Sequence, residues 1–474
     1  IVKNLLRPKI ICITAKNIMG EAAWAHKDQK NCGNDSEFRL EVKGAGLKGM
    51  TLVCPKCNAA ASMEHIFKVG ALPGDSCAGK RPWLRDSPDE ECGQTVRVMQ
   101  RGASNLYFPL TLSALTIPPW SEKIIQLLGV FWDPLQRVED PEDRRIRISQ
   151  DWDSYPRSIK SMGQEAFIAR VEGILSQDST TTDDLRWDEY RQLTSGSWGH
   201  HSNSDFVVEQ ESTPHDIASI AALYRVKALR EIRVLRGFSR IEAPPGSPPV
   251  RKQNMRRNKP NWYPAIEVRG EGIFFSIEEE MIARWSQKEN VIKRAEAIEN
   301  PEASNILNPD NLPNHSVTPP EVARYLFLHS LAHVLIKQLS LQCGYSSASL
   351  RERIYTGVDA TPMAGILIFT GSSDSDGTLG GLQRQGLTER FIPAFKESLL
   401  ANMWCSSDPL CLSGAMSQSE PYNLAACHSC LQLPETSCEE HNRFLDRAML
   451  YGTEEDEELG FFAGEEIGSW LTDG

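Results

Sequence analysis

The chain has 474 residues, about 40% hydrophobic and 24% charged, with 51 basic against 63 acidic residues and a net charge of -12. This is the composition of an ordinary globular protein long enough for two to four cores. It excludes a protein that coats DNA nonspecifically, though not one with a local basic groove. No apolar run reaches about 18 residues, so no transmembrane helix is expected. The first residues, Ile1-Val2-Lys3-Asn4, are neither a signal peptide nor an initiator methionine and read as an internal start. Twelve cysteines without a secretory signal suit a reducing cytoplasm and bound zinc better than disulfides.

In chain order, residues 1–135 form a first domain around a cysteine cluster, Cys54-Pro-Lys-Cys57 followed by Cys77 and Cys92, spaced C-x2-C-x19-C-x14-C. Two residues between cysteines make a tight knuckle whose sulfurs face one ion. Cys32 is a substitute candidate, because the later pair is widely spaced. Gly74 to Lys80 matches G-x-x-x-x-G-K, but Arg81-Pro82 stands where a phosphate loop needs Ser or Thr, so the match reads as chance.

Residues 136–315 form a mixed middle region. Thr213-Pro214 suits a helix start, with Ile217, Ile220, Leu223, Tyr224, Ala228 and Leu235 as its apolar face and Gly237 as its end. On that helix Arg225, Arg233 and Arg236 fall within roughly 80°, a stripe able to follow phosphates or to pair with glutamates. The basic run with Arg251, Arg256 and Arg257, followed by Trp262 and Tyr263, mixes cations and rings as single-stranded nucleic acid requires; a basic loop is the alternative. Gly272 to Ile277 reads as a strand, and Glu278-Glu279-Glu280 opens a helix.

Residues 316–474 form a third domain. A helix from Pro319-Pro320 to Gly344 carries His329 and His333 on one face. Ser330 replaces the glutamate of a zinc protease and further ligands are missing, so these read as core or interface histidines rather than a second metal site. Gly365 to Thr370 is a strand buried on both faces, followed by a Gly-rich polar loop to Leu382. That loop lacks the twelfth-position glutamate of a calcium site. Cys411, Cys427, Cys430 and Cys438 form a second cluster, C-x15-C-x2-C-x7-C, with Cys405 a fifth candidate for four places. Four thiolates leave no open coordination position, so such an ion holds loops together. The acidic run Thr453 to Glu457 reads as a solvated tail.

Trp404 to Arg447, with the H-S-L-A-H helix and the D-G-T-L-G-G-L loop (Asp376 to Leu382), resembles the zinc-binding domain at the C-terminus of certain DNA helicases. Arg101 to Pro109 and Ser113 to Trp120 extend the likeness. The chain resembles the DrmB family, stand-alone carriers of this domain in bacterial DISARM antiphage systems. The resemblance implies phage defence beside an SNF2-like helicase subunit, DrmA, which supplies the ATP-driven motor, and it implies that the pair binds DNA, single-stranded or tailed. It also implies that Cys411, Cys427, Cys430 and Cys438 bind zinc. The expected protein is a cytoplasmic, multi-domain α+β chain with two structural zinc ions, each held by four cysteines, and no catalysis of its own. A hydrolase with an unrecognised site and a scaffold that never touches DNA are the alternatives.

Overall fold

The structure is a computed structural model. It describes residues 11–12, 26, 32–33, 38–68, 98–99, 107–117, 123–177, 185–195, 205–239, 253–254, 262–298, 317–358, 361–371, 381–414, 422–462 and 470. Helix and sheet are mixed, as an α+β chain requires. Two compact units emerge: residues 1–112 with 234–264, and residues 113–233 with 265–474. Among the described residues, no helix is long and apolar enough to cross a membrane.

In the first unit, β1 (Arg39–Val42), β2 (Met50–Val53) and β3 (Ala60–Ser62) form an antiparallel three-stranded sheet. Leu52, Cys54, Ala59, Ala61, Met63 and Ile66 close with Phe38 into a small core.

The second unit is organised by a larger sheet. Its main strands are β4 (Phe108–Leu115), β5 (Val207–Gln210), β6 (Ile220–Ser239), β7 (Ala265–Ile277), β8 (Leu350–Gly357) and β9 (Met363–Thr370). The order is β8-β9-β7-β6-β4, with β5 paired to β6; the chain passes between the units within β4 and β6. β9 is antiparallel to both neighbours, with Gly272 opposite Phe369 and Leu350 opposite Thr370. All of β9 is buried, as its continuous apolar run predicts.

Strand period sorts these residues onto two faces. Ile273, Phe275, Ile354, Ile366 and Ile368 meet the helices of the main core. Phe274, Tyr355, Leu367 and Phe369 build a second core with Tyr190 of helix α1 (Leu185–Thr194). Gly365 leaves room there, since a Cβ would lie 2.8 Å from the Phe274 ring and 2.9 Å from Tyr190. The buried Arg353 guanidinium donates to Glu189 at 2.5 and 2.8 Å, and Glu189 also accepts from the Leu115 amide and the Tyr355 hydroxyl.

Against the main face lie α2 (Glu279–Ser286), α3 (Glu289–Glu296), α4 (Pro319–Cys343) and α5 (Thr388–Asn402). Helix α4 begins where the sequence places it. Thr318 and Glu321 form a capping box, prolines occupy the first turn, and Gly344 at φ 70° ends it. Its residues from Glu321 to Ile336 are all buried.

The expected helix from Thr213 to Gly237 is the long strand β6 instead. Its apolar residues fit both periods in part. Pairing decides the matter: β5 zips onto it with Glu209 opposite Arg225 and Gln210 opposite Tyr224. The alternation Tyr224-Arg225-Val226-Lys227 is the strand signal that the cap-like Thr213-Pro214 outweighed. The acidic run is exposed but tethered, since Asp456 accepts from Asn290 at 2.8 Å and the Leu459 carbonyl from Trp285 at 2.9 Å.

Candidate metal centres

In the first unit, β2 ends at the knuckle, and the Cys54 amide donates to the Ala59 carbonyl at 2.8 Å. Asn58, at φ 57°, lets the chain turn back tightly between them. The turn brings Cys54 and Cys57 to Cys32 and His26. Cys32 Sγ lies 3.6 Å from Cys54 Sγ and 3.5 Å from His26 Nε2, while Cys57 Sγ lies 3.3 Å from that nitrogen. Tetrahedral zinc at about 2.3 Å from each sulfur sets neighbouring sulfurs about 3.7 Å apart. Three thiols and an imidazole at these separations therefore fit zinc. Cys32, the substitute candidate, belongs to the group; His26 gave no spacing signal, lying 28 residues before the knuckle. Cys77 and Cys92 lie outside the described residues.

In the second unit, the second knuckle faces the turn after α5. Cys405, Cys411, Cys427 and Cys430 share one buried pocket, with Sγ pairs at 3.4 Å (Cys405 and Cys427), 3.6 Å (Cys411 and Cys430) and 3.7 Å (Cys427 and Cys430). These again match tetrahedral zinc edges. The Cys427 amide donates to Cys430 Sγ at 3.3 Å and the Ser407 amide to Cys405 Sγ at 3.4 Å. The hydrogen bond from Cys411 holds the Cys430 thiol down to about 5, while the same bond pushes Cys411 up and burial pushes Cys405 up. The buried Arg447 braces the loop by donating to Asp408 and to the Met403 carbonyl at 2.7 Å, and Asp408 accepts from the Cys405 amide at 2.9 Å. Lys337 of α4 donates to the Ser429 and Cys430 carbonyls.

Cys405 thus takes the place that the sequence reading gave to Cys438. Cys438 instead groups with His329 and His333 of α4 and Glu352 of β8. The core placement of the two histidines is as expected, since both are fully buried. Glu352 is a further potential ligand that the sequence concealed, because the fold brings it in from a distant strand; Cys438, expected at the four-cysteine cluster, joins it from a loop.

The arginine stripe dissolves with the helix that carried it. On β6 a register shift opposite Val207 and Val208 breaks the strand period between Arg225 and the later arginines, so the three form no single stripe. Arg225 binds Glu211 at 2.5 Å and Glu209 at 3.0 Å, and Arg233 binds Glu231 at 2.7 Å. Arg236 is exposed. Arg251, Arg256 and Arg257 lie outside the described residues, as do the phosphate-loop look-alike and residues 372–380 of the Gly-rich loop.

A Bacillus paralicheniformis protein named "DISARM protein DrmB" is 32% identical over 459 residues, spanning 93% of this chain and 79% of that one. The chain belongs to the DrmB family. Within this DrmB-family chain, residues 331–431 match the family described as "MrfA Zn-binding domain", and residues 19–108 match one described as "Domain of unknown function (DUF8724)". The first segment holds all four cysteines of the second cluster, and the second holds all four ligands of the first. A solved structure described as the DUF1998 helicase MrfA bound to DNA aligns with a TM-score of 0.23 and 10% identity, over 48% of the DrmB-family chain and 22% of the helicase.

Proposed function

We propose that this chain is a non-catalytic accessory subunit of a DISARM antiphage complex, which binds an SNF2-like helicase and helps it engage foreign DNA. Membership of the DrmB family carries the reading. The match to the MrfA Zn-binding domain supports it, because a domain of that description fits a role beside a motor. The chemistry of the second cluster is consistent: four thiolates saturate zinc and leave no position for an activated water. The zincs hold loops in the shape a partner recognises, and the helicase supplies ATP hydrolysis. Arg251, Arg256 and Arg257 are the basic residues assigned to DNA.

Co-expression with the neighbouring SNF2-like helicase, followed by a tagged pull-down and ATPase assay with and without tailed DNA, tests this directly. A stable complex with DNA-stimulated ATPase is expected. A zinc-loaded chain that never retains helicase would overturn the assignment.

The carboxylate pairing of Arg225 and Arg233 favours a second reading, a scaffold without DNA contact of its own. Reversing the charge of Arg251, Arg256 and Arg257 together separates the two. Loss of DNA affinity at low salt supports the DNA-engaging form, and unchanged affinity supports the scaffold.

A further inference from the structure

His329, His333, Glu352 and Cys438 converge from three parts of the second unit. One turn of α4 supplies the two imidazoles, the helix-facing side of β8 supplies the carboxylate, and the loop after the second knuckle supplies the thiol. Their ligand atoms all lie within 4.8 Å of one another, and all four residues are buried. His329 Nε2 is 2.8 Å from Glu352 Oε1 and 3.2 Å from Cys438 Sγ, and His333 Nε2 is 3.3 Å from the same carboxylate.

The outer nitrogens fix the tautomers. His329 Nδ1 lies 3.0 Å from the Phe444 carbonyl and His333 Nδ1 lies 2.8 Å from the Leu431 carbonyl. A carbonyl oxygen only accepts, so both Nδ1 atoms carry hydrogen. A neutral ring then turns a bare Nε2 lone pair inward, and here both rings do so toward a carboxylate and a sulfur. Metal-binding histidines are oriented in this way, with Nδ1–H on a backbone carbonyl and Nε2 on the ion.

A single shared proton satisfies this pocket poorly. It can bridge one imidazole to Glu352, and the other lone pair is then left to the weak thiol donor of Cys438, 3.2 Å from His329 Nε2. Glu352 Oε2 is fully buried and makes no hydrogen bond, although His333 Nε2 stands 3.3 Å away outside bonding geometry. Protonating both rings would place two cations in a dry interior beside one carboxylate, which is costly. A divalent ion meets every demand together. It accepts both nitrogen lone pairs, and its charge equals that of a carboxylate plus a thiolate.

We propose that these four residues form a third metal site, a closed centre of two imidazoles, one carboxylate and one thiolate whose donor set suits zinc. The match to the MrfA Zn-binding domain covers residues 331–431, so His329 and Cys438 lie outside it. The centre pins helix, strand and loop together. Through Leu431, next to Cys430, it also touches the four-cysteine cluster.

The test is zinc content per chain, by elemental mass spectrometry, of the full protein reconstituted with zinc and desalted. Cys438→Ala and Glu352→Gln should each carry one zinc fewer than the parent chain, with the remaining zinc retained and the circular dichroism unchanged. An undiminished count in both variants would overturn the proposal. Should a variant unfold, zinc-edge X-ray absorption on the parent chain decides instead. Nitrogen and oxygen should make up about one-third of the ligand shell averaged over three centres, against about one-eighth for the two cysteine-knuckle centres alone. A shell near the lower fraction would refute the third site.

Discussion

The two cysteine clusters rest on very different amounts of protein. The N-terminal one sits on three short strands whose core is a few side chains, Cys54 among them. The C-terminal one is an edge of the main core, continuous with Phe391, Leu431, Phe444 and the helices packed on the sheet. So small a core seldom supplies enough burial alone, and a metal commonly makes up the difference. In the first unit a bound ion would take over the task of a core. In the second it would fix loops on a core that already stands.

The sharpest way to break that contrast is to remove each ion and ask how far the damage spreads. Cys54→Ser with Cys57→Ser should unfold residues 38–68 outright, because structural zinc contributes on the order of 10 kcal/mol to such modules. Hydrogen exchange should show protection lost there and kept in β7 and β9. Protection surviving in residues 38–68 would show that the small core suffices. Cys427→Ser or Cys430→Ser should cost most of one zinc equivalent and loosen residues 403–414 and 422–433, with the sheet still protected. Full retention of metal and thermal stability would remove the cluster assignment.

The strength of the core itself can be gauged without touching metal. Glu189→Ala leaves the Arg353 guanidinium buried and unpaired at its main partner, which should cost roughly 3–5 kcal/mol in denaturant unfolding. A loss below about 1 kcal/mol would mean that Ser113 and Glu439 compensate. The smallest effect is expected at Lys227→Ala, since Lys227 and its partner Glu209 both reach well into solvent and about 1 kcal/mol or less should go.

Much of this was legible in the sequence, and the gaps have physical causes. Helix α4 carried its own punctuation, with prolines at one end and glycine at the other, and β9 declared itself by an unbroken apolar run. Both knuckles were visible because two ligands three residues apart are a local fact. The remaining ligands are not local. His26, Cys32 and Cys405 reach their clusters through folding, and nothing in the spacing distinguishes Cys405 from Cys438. Glu352 looks like any polar residue of a strand until α4 covers it. The segment from Thr213 failed for another reason: its apolar residues satisfy helix and strand periods alike, and only the pairing of β5 selects between them.

β8 carries Glu352 and Arg353 in succession, one toward the histidines and the other toward Glu189. Side chains alternate across a strand, so a one-residue slip would exchange their faces. The carboxylate would then confront Glu189, and the guanidinium would press on two imidazoles and a thiol. An all-apolar strand beside β9 would tolerate such a slip with little penalty. Here two opposite charges side by side act as a key cut on both edges, which turns in only one alignment.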